Sequence, residues 1–303
     1  SSLFYEFMPY RLNPQTMLID YDELAKNAGM FRPRVIVAGA SCYSRLIDFE
    51  RFREICGEVG AYFMVDMAHI SGLVAGKVIP SPFPYADVAT STTHKTLRGP
   101  RGGIIFSKRG EVDLPSIVNA TVFPGFQGGP HMHVIAALAV GFKEALSPEY
   151  MEYQTQVVEN CKKLSQLLIS KNYRIMTGGT DNHLMLIDLR PLKLNGNRAQ
   201  IACENAGISL NKNTCPYDTN PTVPGGVRIG TPVITSRGLK TDDMAQIAEF
   251  LDQVFTVSKN LSDSNKKLSD FVQAVKSDEK INNIKNSVRE YITPFNLPGL
   301  PTI

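Results

Sequence analysis

The chain has 303 residues, of which 43% are hydrophobic and 20% are charged, and its net charge is +3. This length predicts about two domains, and the composition is that of a globular protein with a substantial core. The small net charge argues against a nucleic-acid-binding or membrane-binding surface, and no apolar run approaches the roughly 20 residues that span a bilayer.

The cysteines are odd in number, widely scattered and without a CxxC pair. They are Cys42, Cys56, Cys161, Cys203 and Cys215. This pattern is typical of neither a disulfide framework nor a zinc site, so we expect no metal and a reducing compartment. We expect a cytoplasmic protein, with a mitochondrion or another organelle as the alternative. The chain starts without Met and without a signal peptide, so we expect a fragment of a longer polypeptide.

In the first half, short runs rich in β-branched residues end in small or polar residues. They are RVIVAGAS (34–41), AYFMVDMAH (61–69), DVATSTTH (87–94) and GGIIFSK (102–108). Residues 45–60 lie between the first two and carry an apolar face with helical spacing. Strand, helix and strand in this order predict an α/β fold, a mostly parallel sheet with flanking helices. Ligands of such sheets bind at the carboxyl ends of the strands, where Ser41, Asp66, His69 and Lys95 fall.

The pattern changes after Ser147 and Pro148, where an apolar helix ends and a long amphipathic helix is predicted to follow. The later elements are strands at 173–179, 183–190 and 227–235, a helix at 197–207, a polar loop at 211–226 and amphipathic helices at the end. We therefore predict a large domain over 1–147 and a smaller α+β domain over 148–303.

Asp66 and Lys95 are separated by enough residues for one crossover and the neighbouring strand. A partly buried carboxylate must face a cation, and a protonated pyridine nitrogen is such a cation. A lysine in a partly desolvated site near other cations is a usable nucleophile that forms Schiff bases, and His94 and Arg101 are the expected neighbours of Lys95. The ordinary alternatives are that Asp66 caps a turn, that His69 is structural and that Lys95 lies solvated on a surface turn.

Three further features have a ligand interpretation, and the last two also have an ordinary one. The Thr92 hydroxyl can hydrogen-bond a phosphate or a phenolic oxygen. Gly128 and Gly129 offer backbone amides to a phosphate, although a simple turn explains them equally well. Arg228 stands in an apolar strand, where its planar fork suits a carboxylate, and a salt bridge between domains is the alternative.

Taken together, these stretches resemble the serine hydroxymethyltransferase family, pyridoxal-phosphate enzymes of the fold-type-I, aminotransferase-like class. The matching segments occur in family order across nearly the whole chain. They are MPYRLNPQTMLIDYDEL, VIVAGASCYSR, VDMAHISGLVA, TSTTHKTLRGPRGG, FPGFQGGPH, NKNTCP and VRIGTPVITSRG. The resemblance implies transfer of the serine hydroxymethyl carbon to tetrahydrofolate, which gives glycine and 5,10-methylenetetrahydrofolate.

The resemblance also implies roles for individual residues. Lys95 would hold pyridoxal 5'-phosphate as a Schiff base, and Asp66 would pair with the pyridine nitrogen. His69 would lie against the ring, with Ser41 and His94 within hydrogen-bond reach of the cofactor and its substrate adduct.

For the substrates, the resemblance implies that Arg228 holds the amino-acid carboxylate and that Arg101 lies nearby. The loop that begins at Asn211 would border the folate site. Gly128 and Gly129 would reach the cofactor phosphate of a neighbouring subunit, so we expect a homo-oligomer with shared active sites, as a homodimer or homotetramer. No nucleic-acid or membrane partner is expected.

The family's first section, with further acid/base and phosphate-binding residues, has no equivalent among these residues. We therefore keep two alternatives open. One is a folate-independent aldolase for β-hydroxy amino acids, and the other is a truncated, non-catalytic structural or regulatory subunit.

Overall fold

The computed structural model describes residues 2–299, which fall into two compact units. One unit contains the described residues up to Ser41 together with Leu46–Thr155, and the other contains Cys42–Arg45 and the described residues from Gln156 onward. The domain boundary at residue 147 stays a prediction. Within residues 2–299, none of the helices combines the length and the apolar character that crossing a bilayer requires.

The first unit is built on a four-stranded sheet with the order β1-β2-β3-β4. Its elements in chain order are α1 (Tyr21–Phe31), β1 (Val35–Ala38), α2 (Phe49–Val59), β2 (Tyr62–Asp66), α3 (Ser71–Ala75), β3 (Val88–Thr92), β4 (Gly103–Ser107), α4 (Leu114–Ala120), a π-helical turn (Thr121–Phe126) and α5 (Met132–Ala145). Strands β1, β2 and β3 are parallel, and β4 runs antiparallel to β3. The predicted mostly parallel sheet is confirmed.

Helix α2 packs the core of this unit. It begins after Asp48, whose side chain accepts the backbone N–H of Arg51, and it ends at Gly60 in the left-handed region with φ of 70°. Phe52 on this helix stacks on Phe63 of β2 with ring centroids 5.4 Å apart, and both side chains are fully buried. This packing holds β2 against α2 and so helps to position the end of the strand at Asp66.

The second unit contains an antiparallel sheet with the order β5-β6-β8-β7. Helix α6 (Pro148–Ser170) begins in the first unit and continues into the second. The following elements are β5 (Arg174–Ile175), β6 (Leu184–Asp188), α7 (Gly196–Asn205), β7 (Asn211–Asn213), β8 (Gly226–Gly230), α8 (Pro232–Ser236), α9 (Met244–Ser264), α10 (Leu268–Ser277) and α11 (Glu279–Ile292). The α+β character predicted for this half is observed.

The predicted strand segments are longer than the observed strands, and the largest differences are in the second half of the chain. The strand predicted to reach residue 235 ends at Gly230, because Pro232 occupies the first turn of α8, where its fixed φ and missing N–H are tolerated. The strand predicted over 173–179 keeps only β5, because Thr177 and Gly179 turn the chain with φ of 67° and 150°.

Candidate active site

The polar residues predicted to bind the cofactor in the first unit follow the ends of neighbouring strands, at one edge of its sheet. Asp66 is the last residue of β2 and pairs with Thr90 of the parallel strand β3, which ends at Thr92. Ser41 follows the end of β1, on the other side of β2. Because neighbouring strands are about 4.8 Å apart, Asp66 and the segment that carries Lys95 leave adjacent positions of the same edge.

Lys95 is half-buried on a turn that leads from β3 to β4. Its Nζ donates to Oγ1 of Thr92 at 3.0 Å. The backbone N–H of Arg98 donates to the Lys95 carbonyl at 2.9 Å, and Arg98 has a left-handed φ of 62°. The buried Thr93 hydroxyl instead donates to the Pro100 carbonyl at 2.6 Å. Of these two threonines, Thr92 contacts the amine and Thr93 closes the turn.

Asp66 is exposed, so the expectation of a partly buried carboxylate is wrong. The reason is the two-residue period of β2, in which Val65 faces the core and Asp66 faces outward. Its Oδ1 accepts the N–H of Ala68 at 3.0 Å, which is the turn contact of the alternative interpretation. The backbone at Gly39 passes so close that a Cβ there would lie 2.3 Å from the Asp66 carbonyl oxygen.

Two histidines lie beside the Lys95 turn. His69 is half-buried, and its carbonyl accepts the Thr96 hydroxyl at 2.8 Å. His94 is also half-buried, and its buried Nδ1 has no hydrogen-bond partner among residues 2–299. An unpaired buried ring nitrogen is costly, so this atom fits a site that receives a polar ligand group. Arg101 is exposed.

The chemistry of this donor set fits pyridoxal phosphate. It combines an amine for an aldehyde, a carboxylate for a protonated ring nitrogen and an unpaired imidazole nitrogen at one sheet edge. Within residues 2–299, no three His, Cys, Asp or Glu side chains are grouped so that they could hold a metal ion.

Gly128 and Gly129 lie in the exposed connection between the π-helical turn and α5. A Cβ at either position would meet nothing within 4 Å. Their surroundings therefore leave room for another molecule to approach the backbone. Their predicted contact with the cofactor phosphate of a neighbouring subunit stays a prediction.

Arg228 lies in the middle of β8 in the second unit and is half-buried. It pairs with Leu186 of β6 on one side and with Asn211 of β7 on the other. The half-buried Cys42 lies in its field: burial raises the pKa of this thiol to about 11, and the Arg228 charge acts in the opposite direction. The predicted substrate residues Arg228 and Asn211 are thus cross-strand neighbours.

Charged side chains hold the two ends of the loop between β7 and β8 together. Oδ2 of Asp218 accepts the N–H groups of Cys215 at 2.8 Å and Gly225 at 2.6 Å. Arg190 donates from its guanidinium to Oδ1 of Asp218 at 2.9 Å and to both oxygens of the buried Asp188. This hydrogen-bond network fixes both ends of the loop that precedes Arg228.

Sequence reasoning did not identify the residues that support the Lys95 turn from within the first unit. The Thr96 carbonyl accepts from Tyr150 Oη at 3.0 Å and from Gln154 Nε2 at 2.9 Å. A signal for them exists, because Gln154 is a polar residue in the buried stripe of an amphipathic helix.

Comparison with known proteins identifies the family. The family model for serine hydroxymethyltransferase matches residues 1–251. A serine hydroxymethyltransferase from Bombyx mori is 48% identical over 99% of this chain and 68% of its own length. A cytosolic one from Oryctolagus cuniculus is 47% identical, with 99% and 66% covered, and chloroplastic serine hydroxymethyltransferase 3 from Arabidopsis thaliana is 46% identical, with 99% and 59% covered. The chain spans about two thirds of the length of such relatives, and it belongs to the serine hydroxymethyltransferase family.

Proposed function

We propose that the full-length protein transfers the hydroxymethyl carbon of serine to tetrahydrofolate, with pyridoxal 5'-phosphate as its cofactor, and releases glycine, 5,10-methylenetetrahydrofolate and water. The observation that carries this proposal is the placement of two groups at the ends of adjacent parallel strands: Asp66 ends β2, and the half-buried Lys95 amine, hydrogen-bonded to Thr92, follows the end of β3. Family membership supports the same reaction.

Lys95 is the residue that would hold the cofactor covalently, because its amine is the nucleophile at this edge. When bound, pyridoxal phosphate supplies a positively charged ring that withdraws electrons from the amino acid. The Asp66 carboxylate would keep the proton on the ring nitrogen, and His69 would lie against the ring. Thr92, Ser41 and His94 would hydrogen-bond polar atoms of the cofactor and its substrate.

Arg228 would hold the carboxylate of serine or glycine through its planar guanidinium. A fixed carboxylate restricts rotation of the amino acid and so selects which bond at its α-carbon breaks. Asn211 lies opposite Arg228, and the loop from Asn211 would border tetrahydrofolate. Arg101 would add positive charge near the amino acid.

The protein would work as a homo-oligomer in which Gly128 and Gly129 reach the cofactor phosphate of a neighbouring subunit. Helix α5 supports a second copy at this surface, since Ala145 is the one buried residue among its fourteen in the described structure. Its exposed side chains include Met132, Ile135 and Val140. An apolar helix left this exposed is typical of an interaction surface.

We place the full-length protein in the cytosol, as the names of several relatives indicate for those proteins. Microscopy of the full-length protein with a carboxyl-terminal fluorescent tag tests this placement. Accumulation in an organelle would overturn it.

The experiment that tests the function uses the full-length protein with added pyridoxal phosphate. We expect a visible absorbance band from the lysine-bound cofactor, which borohydride abolishes. Lys95→Ala should lack the band, whereas Lys108→Ala, at an exposed position after β4, should keep it. Absence of the band in the unmodified protein would refute the catalytic proposal and favour a structural or regulatory subunit.

A second assay separates the transferase from an aldolase. Serine cleavage is measured with and without tetrahydrofolate, and 5,10-methylenetetrahydrofolate is quantified. We expect serine cleavage to depend on tetrahydrofolate. Equal cleavage of serine without it, with free formaldehyde as the product, would identify a folate-independent aldolase.

A further inference from the structure

The carbonyl of Thr96, the residue after Lys95, accepts two side-chain hydrogen bonds from helix α6. Tyr150 Oη donates at 3.0 Å and Gln154 Nε2 at 2.9 Å, and the two donors lie one helical turn apart. Thr96, Tyr150 and Gln154 are 5%, 6% and 1% exposed. Both lone pairs of this carbonyl are therefore used in a buried setting, where an unmet carbonyl is costly.

The side chain of Thr96 extends the same cluster. Its hydroxyl donates to the His69 carbonyl at 2.8 Å and accepts the N–H of Gly72 at 3.0 Å. One residue thus joins the Lys95 turn to the segment after β2, to the start of α3 and to α6. All of these contacts lie within the first unit.

Gln154 is confined by backbone as well as by its hydrogen bond. A Cβ on Gly72 would lie 2.8 Å from Gln154 Nε2, and one on Gly76 would lie 2.9 Å from its Cγ. The amide is held against the Thr96 carbonyl on one side and against α3 on the other. Its Oε1 is buried without a hydrogen-bond partner in the described part of the chain, so the contact through Nε2 fixes its orientation.

We propose that Gln154 and Tyr150 are positioning residues for Lys95: by holding the peptide that follows it, they set where its amine meets the cofactor aldehyde. This inference rests on the proposed function of Lys95. The Lys95 Nζ itself donates to Thr92, so the two side chains of α6 act through the backbone. An apolar side chain at position 154 would fill the same space but leave the carbonyl with one donor.

The contact with the Thr96 carbonyl can be tested with a side chain at position 154 whose protonation changes with pH. Burial raises the pKa of Tyr150 to about 12, so its hydroxyl remains a donor at neutral pH. Tyr153 and Arg98 act electrostatically on Tyr150, and the Arg98 guanidinium lies over the Tyr153 ring at 4.3 Å. Glu144 and Glu149 line the same cavity as Tyr150, and His69 adjoins Thr96. In Gln154→Glu, an ionised carboxylate would repel the carbonyl, and a protonated one would donate to it.

The test follows dissociation of the lysine-bound cofactor from the full-length protein by its absorbance, from about pH 6 to pH 8, a range chosen because burial raises the pKa of a carboxyl. For Gln154→Glu we expect dissociation about tenfold faster than wild type at the upper pH, the effect of one lost buried hydrogen bond, and recovery at the lower pH. Gln154→Met should dissociate faster at every pH. Tyr150→Phe should show a smaller acceleration, and the control Glu152→Gln, at an exposed position of the same helix, should show none.

Wild-type dissociation rates in both Gln154 variants would overturn the proposal. Faster dissociation of Gln154→Glu without recovery at low pH would also overturn it, because that outcome indicates general damage to the helix. Hydrogen exchange of the Arg98 and Gly99 amides in cofactor-free protein provides an independent readout, and we expect faster exchange in Gln154→Glu at the upper pH. If wild type never forms the absorbance band, the proposed function fails, and unchanged exchange in Gln154→Glu would overturn the positioning role separately.

Discussion

Two glycines in helices of the first unit are expected to respond in opposite ways to alanine. Gly72 lies in α3, where a Cβ would stand 2.1 Å from the Thr96 carbonyl oxygen and 2.2 Å from its carbon. Gly57 lies in α2, where a Cβ meets nothing within 4 Å. Because optimal carbon contacts are about 3.5 to 4.0 Å, Gly72→Ala requires a shift of more than about 1 Å between α3 and the Lys95 turn.

The magnitude follows from three contributions. Overpacking of a tight core costs about 1 to 3 kcal/mol. The hydrogen bond from the Gly72 N–H to Thr96 Oγ1 cannot survive the shift, and its loss costs about 1 kcal/mol. The higher helix propensity of alanine compared with glycine offsets up to about 1 kcal/mol of this loss. We expect Gly72→Ala to lower the free energy of unfolding by about 2 kcal/mol, and Gly57→Ala to raise it by about 0.5 to 1 kcal/mol.

The assay is urea unfolding followed by circular dichroism, because the chain contains no tryptophan for fluorescence. A lower midpoint with an unchanged slope is the expected result for Gly72→Ala, since the slope depends on the surface exposed by unfolding. If Gly72→Ala unfolds at the same or a higher urea concentration than wild type, the close approach of α3 to Thr96 is not a constraint and the reasoning fails.

Three further predictions concern the second unit. Asp188→Asn removes the charge from a carboxylate that is 1% exposed and bound by Arg190, and we expect a loss of about 3 kcal/mol in urea unfolding; an unchanged midpoint would contradict this. Burial raises the pKa of Cys42 to about 11, so its alkylation by iodoacetamide should accelerate about tenfold per pH unit up to about pH 10, and a plateau below pH 9 would refute that value. Tyr173 donates to Asp252 at 2.7 Å, and burial raises its pKa, so Tyr173→Phe should cost about 1 kcal/mol at pH 7. Because the folded pKa is the higher one, wild type should lose that advantage as the pH rises above about 10, and a constant difference in midpoint would argue against it.

The strand ends could be predicted from the sequence because each strand carries its own signal. The β-branched runs over 61–69 and 87–94, with a helix before the first of them, predicted the parallel direction of these strands, although β2 and β3 end earlier, at Asp66 and Thr92. The antiparallel direction of β4 could also have been predicted. The connection after Thr92 contains no helix, whereas a parallel crossover needs a dozen or more residues, usually helical. The exposure of Asp66 follows from the alternation of its strand, whereas the expected burial came from its predicted chemistry.

The support of the Lys95 turn was harder to predict, because it depends on which elements pack together. Tyr150 and Gln154 occupy the same helical stripe as the buried Val157, Cys161 and Leu164. A polar residue in such a stripe indicates a buried hydrogen bond, but the partner lies 58 residues away in the chain. Local patterns identify the unusual residue, and only the fold identifies the carbonyl that it meets.

The hydroxyl-rich sequence around Lys95 thus serves two purposes. Thr92 meets the amine, while Thr93 holds the turn through its side chain to Pro100 and its carbonyl to the N–H of Gly99 at 2.7 Å. Thr96 bridges the turn to the segments on either side. A long connection between antiparallel strands would otherwise be mobile, and a nucleophile on it would be poorly placed, since fixed geometry is what makes an intramolecular attack fast. Most of these hydroxyls therefore hold the backbone around Lys95, and Thr92 contacts the amine itself.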